Sequence, residues 1–487
     1  MNLGLIIYVL GSGLKIIGGL MIFPCLTAII YHESAGWYFV GWGLASLAAG
    51  YLITLKKPRN QVYYLKEGCV ITGLSWVVLS MVGAGPMCMT GAIPAYIDAV
   101  FEMISGFTTT GSSILTDVEV LPRCCLFWRS FSHWIGGMGI LVFMLAVLPL
   151  TSGSRMNLMK AESPGPTVGK LVPKVRETAK LLYAMYFVIT LIEFVLLLLG
   201  RMPVFDAMCI TFGTAGTGGF GVRNSSVGGY SPYVQWIVGI FMLLFGVNFN
   251  AYFLIYRKRI KEALRMEELR WYFAMAFGAF MLIFLNMYPT AKSGITLARE
   301  VFFQVSSLIT STGFSTADFD LWPDFSKTVL IFIMFTGACA GSTGGGIKVQ
   351  RFVILVKNAM REMKYYLHPR SVHTIKSDGK TVDEATVSSI NVYLATFLGI
   401  FVTSIFLVSL EGRDLITNFT AVLTTFNNMG PGFAAVGPTK NFADFTVLSK
   451  LVLMFDMLAG RLELYPMLML FNPVLWKESL DARRGHR

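Results

Sequence analysis

The chain is poor in charge. Of its 487 residues only 14% are Asp, Glu, Lys or Arg, while 54% are hydrophobic. A soluble domain carries about 25% charged residues, so a water-facing globular protein is excluded. Histidine is scarce, and the five copies are scattered without a ligand pattern. Seven cysteines make no disulfide framework. Cys25, Cys69, Cys88, Cys209 and Cys339 lie in or beside apolar segments and read as small buried hydrophobes. The Cys124-Cys125 pair stands too alone for a metal site. The chain does not open on a basic start followed by a small-residue cleavage site, so a cleavable signal peptide is not expected. Nucleophile, acid and base do not cluster in the apolar segments, where His133 is the main histidine. That disfavours a multi-span membrane enzyme. An acidic relay inside the spans is not evident either, which favours channel-like conduction, with symport with protons the alternative.

Long apolar runs are what the chain has instead. Leu181–Leu199 and Ile390–Leu410 reach the roughly 20 residues that cross a bilayer. The net charge of +12 is explained by topology rather than by nucleic acid. Basic residues gather in alternate loops, such as Lys56, Lys57, Arg59 and Lys66, or Arg155, Lys160, Lys170 and Lys174. Two more such loops lie at Arg257–Arg270 and Lys357–Lys380. The positive-inside rule puts these loops in the cytoplasm.

A short glycine motif returns four times, roughly one hundred residues apart. It reads Thr110-Gly111-Ser112, Thr217-Gly218-Gly219, Thr312-Gly313-Phe314 and Met429-Gly430-Pro431. Each copy follows a half-length apolar segment: Ala95–Phe107, Val204–Phe212, Leu297–Leu308 and Leu415–Thr425. About ten helical residues rise only about 15 Å, half of the hydrocarbon core. The chain must return as non-helical backbone, tolerated at that depth only where it is buried in protein or lines water. The expected fold is an all-α polytopic membrane protein, with four span–pore-helix–span repeats around one pore and two N-terminal spans. The two N-terminal spans occupy residues 1–57, and the repeats 68–150, 181–256, 271–366 and 389–475. Ten full spans result.

The chemistry follows from the four loops. Aligned on Gly111, Gly218, Gly313 and Gly430, the flanking residues are Thr109 and Thr110, Gly216 and Thr217, Ser311 and Thr312, and Asn428 and Met429. Glycine permits the backbone angles that turn consecutive carbonyls to one axis. Such carbonyls replace the water around a monovalent cation. No fixed carboxylate sits in these loops, which argues against divalent ions. Asp98, Asp206, Glu300 and Asp414 precede the glycines and read as caps of the half-length helices. Attraction of cations to the entrance is the alternative.

A second unusual stretch interrupts the last span of the third repeat. Gly337, Gly341, Ser342, Thr343, Gly344, Gly345 and Gly346 fall within ten residues. Each glycine costs a helix about 1 kcal/mol relative to Ala. A broken helix is expected, with a loop beneath the filter acting as a gate. Lys348 and Arg461 are cations within spans, which are functional candidates by default. Two motif matches are set aside. Gly216-x-Gly218-x-x-Gly221 lacks a surrounding βαβ unit, and Gly341–Lys348 lacks the Ser/Thr of a phosphate loop.

These motifs carry a resemblance. FTTTG at Phe107–Gly111, TGGF at Thr217–Phe220, STGFST at Ser311–Thr316 and NMGPGF at Asn428–Phe433 resemble the Trk/Ktr/HKT superfamily of potassium transport proteins. AGSTGGGIKVQR at Ala340–Arg351 and GRLELYP at Gly460–Pro466 look like its bacterial Trk branch. The resemblance implies potassium as the transported ion, with a homodimer holding one pore per protomer in the bacterial inner membrane. It also implies a cytosolic TrkA-type subunit whose Rossmann domains bind NAD(H), ATP or ADP. This chain itself would hold no organic cofactor. Plant relatives with serine at the first filter glycine favour sodium, so Gly111 implies potassium. A transporter of ammonium or sodium is the rival within the same class.

Overall fold

The computed structural model describes residues 2–58, 65–139, 175–371 and 373–477. Helix dominates. The described residues hold one sheet, a two-stranded hairpin of Lys376–Ser377 and Lys380–Thr381. Two N-terminal helical segments come first: Leu3–Leu20, continued by Ile22–Ile30, and then Gly36–Thr54. They cross tightly because glycine faces glycine. A Cβ on Gly18 would lie 2.8 Å from the Gly43 carbonyl oxygen, and one on Gly50 would lie 2.6 Å from that of Gly11. Small residues at such crossings let helix backbones approach within a membrane.

Four units follow. Each opens with a long helix: Leu65–Met89, Val175–Leu199, Glu267–Met287 and Glu384–Ser409. Each continues with a half-length helix: Tyr96–Phe107, Val204–Gly216, Gly294–Ile309 and Leu415–Phe426. A glycine loop leads from it to a second helix: Arg123–Gly137, Pro232–Phe245, Asp324–Thr336 and Val447–Arg461. The helix starts are written locally. Pro122, Pro203 and Pro323 precede three of them, and Asp414 accepts from the amide of Thr417 at the fourth half-length helix.

The units close into a ring. Each half-length helix packs against the second helix of its own unit and against that of the preceding unit, the fourth unit preceding the first. The long helices of the second, third and fourth units face outward. Only 22%, 22% and 28% of their apolar windows are buried, against 72% for Leu65–Met89. The N-terminal helices and the terminal segment Tyr465–Leu470 pack on Leu65–Met89. The exposed side chains of the outward-facing long helices include Phe187, Leu191, Phe277 and Phe406, suited to lipid.

The ten expected spans are not ten unbroken helices, because the second helices are interrupted. All four stop after 13 to 15 residues, a rise of about 20 Å, or about two-thirds of the hydrocarbon core. Among the described residues, five helices are long and apolar enough to cross a membrane, or six with one bent pair counted. In the second unit the chain turns by 91° between Pro232–Phe245 and Phe249–Tyr256. In the third, helix ends at Thr336 and resumes at Val349–Leu367. In the fourth, Glu463 and Leu464 take positive φ of 61° and 68° before Tyr465–Leu470. The first unit's continuation, with Arg155, Lys160, Lys170 and Lys174, lies outside the described residues. Hydropathy alone reads through the bend of the second unit, because the residues on either side stay apolar.

Candidate functional site: a ring of four glycine loops

The four half-length helices end in one repeated backbone turn. Thr109, Thr217, Ser311 and Asn428 take left-handed φ of 55°, 54°, 57° and 52°. The amide of the next residue then reaches back five positions. Thr110 donates to Ser105 (2.9 Å), Gly218 to Gly213 (2.8 Å), Thr312 to Ser307 (2.8 Å) and Met429 to Thr424 (2.7 Å). This identity of bonding fixes the alignment of the loops. The residue after each amide is Gly111, Gly219, Gly313 and Gly430.

The second loop therefore stands one residue from the register expected from sequence. Gly219, not Gly218, matches Gly111 and Gly313, and Gly216 closes the helix instead of entering the loop. Three consecutive small residues, Gly218-Gly219 after Thr217, made the sequence alignment slip. The backbone decides it: Gly111, Gly219 and Gly313 all have φ near +80° (82°, 78° and 86°), and Gly218 does not have positive φ.

The glycines meet head to tail around a centre. A Cβ on Gly111 would lie 1.9 Å from the Gly218 oxygen. On Gly219 it would lie 2.1 Å from the Thr312 oxygen, on Gly313 2.9 Å from the Gly430 nitrogen, and on Gly430 3.0 Å from the Gly111 oxygen. Each loop thus approaches the next, and the fourth returns to the first. Ser112 Oγ also donates to the Gly430 carbonyl at 3.2 Å.

Side chains behind the ring brace it. Thr108 and Thr110 hydroxyls share a hydrogen bond of 2.8 Å, as do those of Thr310 and Thr312. Asn428 Nδ2 donates to Thr110 Oγ1 at 3.0 Å and to the Met457 carbonyl at 2.8 Å. His133 stands behind the second loop, with Nδ1 2.7 Å from the Gly106 carbonyl and Nε2 accepting from the Phe220 amide at 3.3 Å. A donor Nδ1 and an acceptor Nε2 make this a neutral imidazole, a brace for the loop rather than an acid or base. Glu102 and Arg129 form a buried pair at 2.7 Å. Glu102 also accepts from Ser113 and from the Ile114 amide, and Arg129 lies over the Phe220 ring at 4.2 Å. The sequence reading missed this pair. Its one signal was two charges inside apolar helices.

Two cavities flank the ring. An outer one of about 160 Å³ is lined by Gly111, Gly219, Gly313 and Gly430 with Arg223, Asn224 and Lys440. Asp117 sits at its rim, where the Asn224 side chain holds its carboxyl below the usual range. An inner cavity of about 100 Å³ is lined by Gly137, Gly341, Gly344, Gly345, Lys348, Asn428 and Arg461. The loop Gly337–Gly346 thus lies on the inner side of the ring. It is bonded to the ring loops: Gly345 N donates to Ser311 Oγ at 2.6 Å, and Gly346 N to the Asn427 carbonyl at 3.1 Å. Thr343 Oγ1 donates to the Phe245 carbonyl at 3.2 Å. Gly337, Gly341 and Gly346 have φ of 69°, 67° and 81°, an arrangement closed to most L side chains.

The two cations meet here. Lys348 Nζ donates to the Gly344 carbonyl and, at 3.4 Å, to that of Gly345. Arg461 donates to the carbonyls of Thr343 (2.8 Å), Gly136 (2.5 Å) and Gly137 (2.8 Å). It therefore binds loop carbonyls, and Glu463 pairs instead with Arg351, which stacks over Tyr393 at 3.9 Å.

The four acids before the glycines do not share one role. Asp414 caps its helix through Thr417. Asp98 pairs with Lys450 at 2.7 Å, and Asp206 with Arg223 at 3.2 Å and the Tyr230 hydroxyl at 2.8 Å. Glu300 lies in mid-helix. Glu193 and Asp456 are fully buried within helices of the second and fourth units, so acids inside the helices are more frequent than the sequence reading expected. Four of the five cysteines read as buried are so, and Cys88 is half-buried.

Comparison with known proteins agrees with this architecture. Residues 39–479 match the family described as TrkH, cation transport protein. The Trk system potassium uptake protein TrkH of Salmonella typhimurium is 36% identical over 480 residues, covering 96% of this chain and 98% of that protein. The TrkH protein of Escherichia coli is 35% identical over 481 residues, with 96% and 98% covered. The Escherichia coli TrkG protein is 34% identical over 470 residues, with 94% and 95% covered. The crystal structure of the potassium transporter TrkH from Vibrio parahaemolyticus superposes with a TM-score of 0.88 at 32% identity, over 98% of this chain and all of that one. An all-α, multi-span chain with four half-length helices in a ring, matched along nearly its whole length, belongs to the TrkH cation transport family, a family of transporters and not of enzymes.

Proposed function

We propose that this chain takes up potassium across the bacterial inner membrane. The observation that carries the reading is the head-to-tail contact of Gly111, Gly219, Gly313 and Gly430 at the ends of four half-length helices. Each helix C-terminus carries roughly half a negative charge, so four that converge favour a cation. Positive φ at alternate residues, as at Thr109 and Gly111, turns successive carbonyls to one side. The filter is built by Thr109, Thr110 and Gly111; Thr217, Gly218 and Gly219; Ser311, Thr312 and Gly313; and Asn428, Met429 and Gly430. Carbonyls there replace the hydration shell of a monovalent ion. The relatives' names supply potassium as that ion.

Beneath the filter the Gly337–Gly346 loop is the gate, with Lys348 and Arg461 as its fixed cations. Their positive charge and their hold on the loop carbonyls both oppose passage of a cation. The membrane potential drives entry with about 2.3 kcal/mol per charge per 100 mV, so uptake needs no chemistry in this chain. The protein is a homodimer, and a cytosolic TrkA-type subunit that binds NAD(H), ATP or ADP controls the gate. It docks on the basic side, at the helix Val349–Leu367 with Lys357, Arg361 and Lys364.

Rubidium-86 uptake into liposomes tests the reading, with potassium, sodium and ammonium as competitors. Potassium is expected to compete best, and Gly111→Ser to lose that discrimination. Uptake blocked by ammonium or sodium but not by potassium overturns it.

A further inference from the structure

One carboxylate joins the two interrupted helices on the inner side of the ring. Glu268 lies in the first turn of Glu267–Met287 and is buried. Its Oε1 accepts from the Ala340 amide at 2.5 Å, in the middle of the Gly337–Gly346 loop. Its Oε2 accepts from Asn248 Nδ2 at 3.2 Å. Asn248 stands at the 91° break of the second unit, where the next amide, Phe249, donates to the Gly341 carbonyl at 3.0 Å. Glu268 therefore holds the loop and its neighbour at once. A carboxylate suits this place because it accepts on both oxygens.

The adjacent residue leads outward to the basic side. Glu267 pairs with Lys357 at 2.5 Å, on the helix that follows the loop. The Glu267 amide, an unsatisfied donor at a helix start, donates to Asp378 Oδ1 at 2.6 Å. Asp378 sits in the turn of the hairpin Lys376–Thr381, where Asp378 and Gly379 take φ of 50° and 76°, the pair of positive angles a two-residue hairpin turn requires. Lys357 Nζ also donates to the Lys376 carbonyl at 2.6 Å. The hairpin thus grips the start of the very helix turn that grips the loop.

We infer that Glu268 is the positioning residue that latches the Gly337–Gly346 loop closed, and that the Asp378 hairpin is the handle through which a protein bound on the basic side releases it. Pulling Asp378 from the Glu267 amide frees the first turn of the helix. Glu268 then leaves Ala340, and the loop loses its hold at the centre. The inference rests on the reading of the loop as the gate.

Cys339, fully buried beside Ala340, is a native reporter of loop opening. The full-length protein in liposomes would be exposed to a charged methanethiosulfonate reagent, with labelling of the Cys339 peptide read by mass spectrometry and rubidium-86 flux measured in parallel. Glu268→Ala is expected to raise both about tenfold, the effect of one charge-assisted hydrogen bond on the closed-to-open ratio. Glu268→Gln keeps one acceptor and should fall between. Asp378→Ala should act in the same direction, and the double variant should not exceed Glu268→Ala alone. Additive effects overturn the handle. Unchanged Cys339 labelling in a folded Glu268→Gln and Glu268→Ala overturns the latch. A variant lacking Gly344 and Gly345 separates this from the gate reading. If it leaves flux unchanged while Glu268→Ala still raises labelling, the gate reading falls and the hold of Glu268 on the loop stands.

Discussion

The outer ring and the inner breaks are built on different plans. At the ring, four loops repeat one turn, with the same left-handed residue and the same five-residue hydrogen bond. At the breaks, the three described units differ: a 91° bend in the second, a glycine loop in the third, a positive-φ Glu463-Leu464 step in the fourth. An ion that must be surrounded needs equal ligands from all sides, so the ring is held to near-symmetry. In the proposed mechanism a barrier needs only one obstruction, which the third unit's glycine loop supplies.

Breaking the symmetry of the ring should have the largest effect. Gly111→Ala and Gly219→Ala place a methyl 1.9 Å and 2.1 Å from a neighbouring carbonyl oxygen, at φ of 82° and 78°. Both should cut rubidium-86 uptake sharply and lose its preference for potassium over sodium. Gly430 lacks positive φ and its nearest atom is 3.0 Å away, so Gly430→Ala should retain measurable uptake. Equal loss from all three would mean that the fourth loop is as constrained as the others.

Loosening the barrier comes next. Arg461→Ala removes three bonds to loop and helix carbonyls, each about 1.5–3 kcal/mol for a charged donor. Flux without any partner should rise several-fold. Unchanged or lower flux in well-folded protein would remove Arg461 from the barrier. A smaller change is expected where ring and barrier share a brace. Asn428→Ala cuts the link from the fourth loop to Thr110 and Met457, and should lower the preference for potassium over sodium without stopping uptake. Unaltered selectivity would show that the cross-link is dispensable.

The smallest effect lies at a helix start. Thr417, through its hydroxyl and its amide, holds the exposed Asp414 carboxyl below its ordinary range. A lowered folded value means that this stabilisation is present above about pH 4, the ordinary aspartate range. It fades as pH falls through the lowered value. Asp414→Ala should cost about 1 kcal/mol at neutral pH, less what solvent screening removes, and the difference in Tm should shrink in acid. A pH-independent difference would assign the effect to packing.

Sequence alone determined the class and the count of units. Apolar length, the spacing of basic loops and four half-length segments before glycines are properties of local composition, and a bilayer leaves few ways to satisfy a backbone that turns back at mid-depth. Gly337–Gly346 also announced its broken helix, because glycine density acts locally on helix stability. Tertiary structure decided the rest. Which of Gly218 and Gly219 aligns with Gly111 depended on a hydrogen bond from Gly218 to Gly213 and on the approach of Thr312. The breaks at Asn248 and Glu463 depended on partners in other units, Glu268 and Arg351. The pairing of Glu102 with Arg129, and of Glu268 with Ala340, joins residues far apart in the chain. Hydropathy and spacing report what each segment can do by itself, whereas a buried polar group must find its partner wherever the packed ring places one.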